Sequence, residues 1–382
     1  MKTSQTTAIV GVGQSEFKRR HEKALETLIV EACQSAIADS GLPLAEIDGL
    51  ITTTGQPPID EIAAGCGLMH YRYKSINGYT PGSSALAALV EARLAIQAGL
   101  AKSVLVFYGI KTSRPGGPYA FHAADPLKAD LEMPVGYYGQ PVYLAAVAQR
   151  YKHEYGLASE QLGSIAVAQR AWASMTPGAQ KSDPMTMRDY LAAPFISEPL
   201  RSPDCCLISD GAGAVIVTSL ERARDLPNPP IKIAGLAAGS NPWTLTEMFT
   251  QSPDFTNLGP GLVADQAFEE AGVTRGDVKV AQIYDCFTIS VILQIESLGF
   301  CKKGEGASFV ADGRTGPGGE FPVNTNGGHL SHAYIPAMTL TIEGVLQARG
   351  HRGEAQIPNA DVSLVSCFGG PDHATLILMG ER

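Results

Sequence analysis

At 382 residues the chain exceeds one ordinary domain of about 100–200 residues, so two domains or one duplicated α/β body are the natural architectures. A 45% hydrophobic and 18% charged composition excludes disorder. Its 41 glycines and 25 prolines, mixed with apolar runs, exclude collagen-like and low-complexity classes. A net charge of −9 with no Lys/Arg cluster argues against a nucleic-acid surface, and the longest basic run, Lys18–Arg20, reads as a solvated face.

Seven cysteines, at 33, 66, 205, 206, 286, 301 and 367, form neither an even framework nor a CxxC pair. No apolar signal stretch opens the chain, and no apolar run approaches the roughly 18 residues of a membrane span. A reduced, cytoplasmic protein without membrane insertion is expected. The eight histidines supply no complete metal-ligand set.

In chain order, residues 7–12 (TAIVGV) read as a buried strand, 23–40 as a helix stopped by Gly41, and 49–53 as a second strand. An Ala/Leu-rich helix over 83–99 precedes a strand at 103–108 (SVLVFY). Strands alternating with helices predict a mostly parallel sheet covered by helices. Residues from about 111 to 203, rich in Pro, Gly, Tyr and Met, read as a long insertion over the sheet, with helices at 142–156 and 160–174. A core strand returns at 212–218, and LPNPP at 226–230 is the linker candidate. The pattern restarts with a strand at 231–239, a helix at 264–271 stopped by Gly272, and a strand at 280–287 followed by a helix to about 298. A helix from Tyr334 to Arg349 and strands at 362–368 and 374–379 close the chain.

The halves resemble one another. DSGLPLAEIDGLI (39–51) has the layout of EAGVTRGDVKVAQI (270–283): helix end, glycine stop, acidic turn, strand. SVLVFYG (103–109) mirrors VSLVSCFGG (362–370). An internal duplication follows, with an N-terminal half at 1–230 that includes the insertion and a C-terminal half at 231–382. Such halves place a site at strand ends near their junction.

Gly11 and Gly13, in GVGQSE, open like a dinucleotide fingerprint, but Glu16 stands where a third glycine belongs and its carboxylate would repel a pyrophosphate; a structural turn is expected. Four other segments carry more information: NGYTPGSSAL (77–86) running into a helix, IYDCFT (283–288) at a strand end, the glycine-rich NTNGGHLSHAYIPA (324–337), and SCFGG (366–370). Their glycines Gly82, Gly327, Gly328 and Gly369 would let backbone N–H groups approach an anionic centre, aided by helix starts.

At these residues the chain resembles the thiolase superfamily, in its sterol-carrier, lipid-transfer-like branch, nearly end to end, including AIVGVGQSEF and SDGAGA (209–214). The resemblance implies an α/β thiolase fold, two duplicated halves in a layered αβαβα arrangement, and a homodimer core. The chemistry departs from the family at decisive places. Tyr79 stands where thiolases carry the nucleophilic cysteine. Tyr284-Asp285-Cys286-Phe287 stands where this branch reads His-Asp-Cys-Phe, and Ala333-Tyr334-Ile335 where it reads Gly-His-Pro. Only the fourth loop keeps a cysteine, Cys367.

A phenol with a pKa near 10 is a poor acyl carrier, and no histidine remains at either motif position to activate one, so a covalent acyl-enzyme is not expected. Thiolase-like aldolases of steroid side-chain degradation are similar in using paired tyrosines at these loops. They imply retro-aldol cleavage of a bulky β-hydroxyacyl-CoA, to a short acyl-CoA plus a ketone or aldehyde. They also imply a small zinc-ribbon/OB-fold partner subunit, with any zinc on that partner and no cofactor on this chain.

The reaction needs a base for the β-hydroxyl proton, donors for the thioester enolate, and an acid to reprotonate Cα. Tyr334 is assigned as base, acting as tyrosinate if its pKa is lowered, and Tyr284 as enolate donor or second acid–base group; the roles are interchangeable. Supporting candidates are Tyr79, Asp285, His329, His332 and Cys367. Asp285 would cap the helix that follows it or orient a tyrosine; Cys286, Cys205 and Cys206 read as core. Two other functions remain open from the residues: Claisen-type acyl transfer on acyl-CoA, using Cys367 or an unusual nucleophile, and non-catalytic acyl-CoA or lipid binding as a scaffold subunit.

Overall fold

The computed structural model describes residues 6–53, 57–112, 123, 126, 128–241 and 256–381. The N-terminal half contributes β1 (Thr7–Gln14), α1 (Leu25–Ser40), β2 (Gly49–Thr52), α2 (Ile59–Gly65), β3 (Tyr73–Ile76), α3 (Pro81–Gln97) and β4 (Ser103–Lys111). The insertion carries α4 (Gln140–Tyr155) and α5 (Ser159–Ser174), and β5 (Asp210–Ser219) returns to the sheet. The C-terminal half contributes β6 (Ile231–Ser240), α6 (Pro260–Ala271), β7 (Val280–Ile283) and α7 (Thr288–Ser297). It ends with a single turn α8 (Gly328–Ser331), α9 (Met338–Arg349), β8 (Val362–Gly369) and β9 (Asp372–Gly380).

Among the described residues these nine strands form the main sheet, in the order β3-β2-β4-β5-β1-β6-β9-β8-β7. The order is nearly a palindrome. β1 pairs antiparallel with β5, β5 antiparallel with β4, and β4 parallel with β2. In the second half β6 pairs antiparallel with β9, β9 antiparallel with β8, and β8 parallel with β7. The halves join where Ala8 and Ile9 of β1 face Lys232 and Ile231 of β6. The repeat seen in the sequence is equally regular: α1 ends at Gly41 (φ 67°) and α6 at Gly272 (φ 68°), and each passes through one 3₁₀ turn into a buried strand. Glycine is required at both stops because the chain turns through the left-handed region.

α3 and α9 each touch strands of both halves and form the inner layer, whereas α1 and α6 cover outer faces. The close approach of α1 explains the paired glycines of β1. A Cβ at Gly11 would run into the Ala36 carbonyl, and one at Gly13 into the Ala32 carbonyl. Gly235 of β6 meets the Ala267 carbonyl of α6 in the same way. The GVG string therefore lies inside β1 and serves strand-on-helix packing, where the sequence reading expected a structural turn.

Among the described residues the sheet is mixed and mainly antiparallel, not the mostly parallel one expected, with five antiparallel pairings against three parallel. Two boundaries beside the site also differ from the sequence reading. The strand expected over 280–287 stops at Ile283, because Tyr284 begins a turn that leads into α7. The helix expected from Tyr334 starts at Met338. Pro336 disfavours helical geometry at Ile335, and Ala337 is left-handed (φ 55°), so Tyr334 lies in a loop between α8 and α9. Part of the insertion, 113–122 with 124, 125 and 127, lies outside the described residues. Its helices pack onto the C-terminal half. Tyr151 of α4 donates to the buried Glu296 of α7, and Trp172 of α5 donates to the Thr315 carbonyl at 3.0 Å.

Candidate active site

The end of β7 and the loop 324–337 meet through Asn324. Its amide oxygen accepts from Ile283 N–H at 2.7 Å and its amide nitrogen donates to the Ile283 carbonyl at 2.8 Å. The side chain thus takes the place of a neighbouring strand's backbone, and asparagine is among the few residues tolerant of its φ of 52°. This anchor sets the third loop beside Tyr284, the first residue beyond the strand.

Tyr284 and Tyr334 are brought together. Their phenol oxygens lie 2.9 Å apart, a hydrogen bond in which either can donate. Tyr284 is buried and Tyr334 half-buried. Around the Tyr284 ring stand His329 (5.0 Å between centroids, edge-on) and Phe368 of the fourth loop (5.4 Å, edge-on), and His329 is also edge-on to Tyr334 at 5.3 Å. Backbone bonds hold both phenols in place. Tyr284 N–H donates to the Ser366 carbonyl at 2.9 Å, and its own carbonyl accepts from Gln294 at 2.6 Å. Tyr334 N–H donates to Ser209 Oγ at 2.8 Å, and Ser209 in turn donates to Gln180 of the insertion.

Burial is the largest influence on both phenols and pushes each well above its ordinary range, reinforced at Tyr284 by the neighbouring Tyr334. The expectation of a tyrosinate with a lowered pKa is therefore corrected. Burial favours the protonated form of both phenols.

The supporting residues divide. Asp285, fully buried, accepts from the backbone N–H of His329 (2.9 and 3.0 Å) and of Leu330 (3.2 Å), so it caps α8. Among the described residues no hydrogen bond joins its carboxylate to α7 or to a tyrosine, and its Oδ1 lies 3.0 Å from His329 Nδ1. His332 points elsewhere, edge-on to Phe17 at 5.2 Å, and burial with the Arg352 charge lowers its pKa to about 3. Tyr79 belongs to the first loop, where its N–H donates to Asn77 Oδ1 at 3.1 Å. Among the described residues no hydrogen bond or ring contact joins it to the tyrosine pair. Cys367 is fully buried with its sulfur 3.8 Å from the Ser83 carbonyl, and burial pushes its thiol far above the usual range. That environment withholds the thiolate that acyl transfer requires.

The glycines act as spacers. Gly82 and Gly369 lie back to back: a Cβ on Gly82 would hit the Phe368 carbonyl, and one on Gly369 would meet Gly82 Cα at 2.8 Å. Gly327 N–H is taken up by the Asn324 carbonyl (2.7 Å) and Gly328 N–H by Asn326 Oδ1 (2.8 Å), so neither is free for an oxyanion. Gly328 (φ 59°) also leaves the room that Asp285 occupies.

Cys206, read from the sequence as core, donates its N–H to the Cys286 carbonyl at 2.9 Å, and burial pushes its thiol well above its ordinary range. Sequence reasoning missed Ser209, Gln180 and Gln294. Ser209 and Asn324 stood inside strings that had been singled out, whereas nothing in the sequence marked Gln180 or Gln294.

Residues 243–380 match the family of thiolase C-terminal domain-like proteins. Over 356 residues the chain is 36% identical to a steroid side-chain-cleaving aldolase of Thermomonospora curvata, covering 90% of each. The chain belongs to the thiolase-like aldolases. It is also 37% identical to the 17-hydroxy-3-oxo-4-pregnene-20-carboxyl-CoA lyase of Mycobacterium tuberculosis, over 91% of this chain and 92% of that one. Among solved structures, a Ltp2-ChsH2(DUF35) aldolase superposes with a TM-score of 0.90 at 35% identity, over 99% of this aldolase-family chain and 98% of its counterpart. Among the described residues, no helix is long and apolar enough to cross a membrane.

Proposed function

We propose that this chain is a carbon–carbon lyase that cleaves a steroid side-chain β-hydroxyacyl-CoA by a retro-aldol reaction at the Tyr284–Tyr334 pair. The relatives' names describe such a reaction, and a 17-hydroxy steroid carrying a 20-carboxyl thioester has its hydroxyl β to the thioester carbonyl. The observation that carries the reading is the 2.9 Å contact between the buried Tyr284 phenol and the half-buried Tyr334 phenol, at the two loops that would otherwise bear histidines.

Tyr334 takes the proton of the β-hydroxyl as the Cα–Cβ bond breaks. Electrons of that bond flow into the thioester, forming an enolate, while the β-carbon becomes the carbonyl of a ketone or aldehyde. Tyr284 donates to the enolate oxygen and returns a proton to Cα, releasing a short acyl-CoA. Because burial favours the protonated form of both phenols, Tyr334 must release its own proton as it accepts the substrate's. The buried Cys367 favours this route over Claisen chemistry through that thiol.

The chain works, in this reading, as a homodimer core joined to a small partner subunit of the zinc-ribbon/OB-fold type. The two-part name of the Ltp2-ChsH2(DUF35) structure supports such a partner. The test is steady-state kinetics on a steroid β-hydroxyacyl-CoA with the partner co-expressed. Tyr284→Phe and Tyr334→Phe should each lose about 10²-fold or more in kcat, the scale of a lost acid–base group. Wild-type turnover surviving both substitutions would refute the assignment.

A further inference from the structure

His329 is fully buried, and neither of its ring nitrogens has a hydrogen-bond partner among the described residues. Buried polar atoms are almost always satisfied, so an imidazole left unpaired calls for an explanation. This one touches both phenol rings edge-on, and its Nδ1 lies 3.0 Å from the buried Asp285 Oδ1, off the line of a hydrogen bond because that carboxylate is engaged by backbone N–H groups. The other titratable groups around it are Cys286 beyond Asp285, Cys206 on the segment whose Leu207 N–H bonds the His329 carbonyl, and His332 at the end of α8. The cations nearest α8 are engaged elsewhere, Arg170 of α5 on Ser331 Oγ at 3.0 Å and Arg352, which acts on His332, on Glu343. His329 is therefore the group beside the pair able to take up a positive charge, and Asp285 is its counter-ion.

Resting on the tyrosine-pair reading, we infer that His329, backed by Asp285, is a positioning residue that receives the proton Tyr334 must release. The phenol O–H of Tyr334 breaks and an imidazole N–H forms. The phenol oxygen then takes the substrate's hydroxyl proton, and Tyr284 gives its proton to Cα. The imidazolium returns its proton to Tyr284, so the net transfer is from the β-hydroxyl to Cα and the site is restored. The charge separated inside the site, phenolate beside imidazolium, stays next to a buried carboxylate that stabilises the imidazolium.

The test is the pH dependence of kcat from pH 5 to 10 for wild type, His329→Phe and His329→Gln, each in complex with the partner, alongside Tyr284→Phe and Tyr334→Phe. In wild type, kcat should fall on the acid side as solvent protonates the imidazole. Both His329 variants should keep KM near wild type, lose about 10²-fold in kcat near neutrality, and lose the acid limb. Their rate should climb with pH instead, as solvent base ionises the phenol. A variant that melts like wild type yet keeps its kcat and acid limb would overturn the inference and leave direct phenol-to-phenol transfer. If one His329 variant fails to fold, the other decides. Full activity in the tyrosine variants would instead remove the underlying reading.

Discussion

At the residue scale the site is governed by burial. Desolvation favours the neutral forms of Tyr284, Tyr334, Cys206 and Cys367, so the proposed reaction starts from protonated phenols. The same effect makes His332 a liability in acid. Its folded-state pKa of about 3 lies below the ordinary 6.5, so the unfolded chain binds a proton that the folded chain refuses. The sign follows: the stabilisation is complete above about pH 6.5 and is lost as pH falls towards 3, by about 1.4 kcal/mol per unit. Urea unfolding at pH 7 and pH 5 should show wild type losing about 2 kcal/mol more over that interval than His332→Gln. Equal losses would place His332's titration elsewhere. The two tyrosines were legible from the sequence because they replace histidines in strings whose neighbours keep the family pattern. Their raised pKa values were not, since the burial that raises them is set by tertiary packing, such as Phe368, remote in the chain, against Tyr284.

At the scale of elements, strand ends and loops are joined by side chains that imitate backbone. Asn324 pairs with both polar groups of Ile283, and Asp285 caps α8 from across the site. Replacing Asn324 with alanine leaves a buried N–H and a buried carbonyl without partners, at about 1–3 kcal/mol each. It also places a less tolerant residue at positive φ. Calorimetry of Asn324→Ala should show a loss of about 2–6 kcal/mol, with kcat also falling as Tyr334 leaves its 2.9 Å contact. An unchanged melting temperature would mean that another contact seats the loop. The sequence displayed α1, α3, α6 and the long strands through periodicity and glycine stops. It misplaced the ends at Ile283 and Met338 because apolar residues continue past both: Tyr284, Cys286 and Phe287 extend the strand pattern, and Ile335 and Ala337 the helical one. The turn and the left-handed Ala337 that break them are set by tertiary contacts.

At the scale of the molecule, duplication does most of the organising. Two similar α/β units meet at β1 and β6, and α3 and α9 between them carry loops from opposite halves towards one place. Arg349, at the end of α9, ties the halves together through Asp39 (2.7 Å) and the Val10 carbonyl (2.7 Å). The duplicated layout could be read from two pairs of matching segments. The seating of the insertion could not, because it depends on single contacts such as Tyr151 to Glu296 and Gln180 to Ser209, whose partners carry no pattern. These contacts tie the insertion to α7 and, through Ser209, to the loop that carries Tyr334.

The most direct test of the central claim is cleavage of a steroid β-hydroxyacyl-CoA in deuterium oxide by the partnered protein, with products and intact protein mass followed together. Retro-aldol chemistry at the tyrosine pair predicts a steroid carbonyl product and a short acyl-CoA carrying solvent deuterium at Cα, with no acyl adduct on the protein at any time. A covalent acyl-enzyme, or cleavage that proceeds only when free CoA is added, would contradict it.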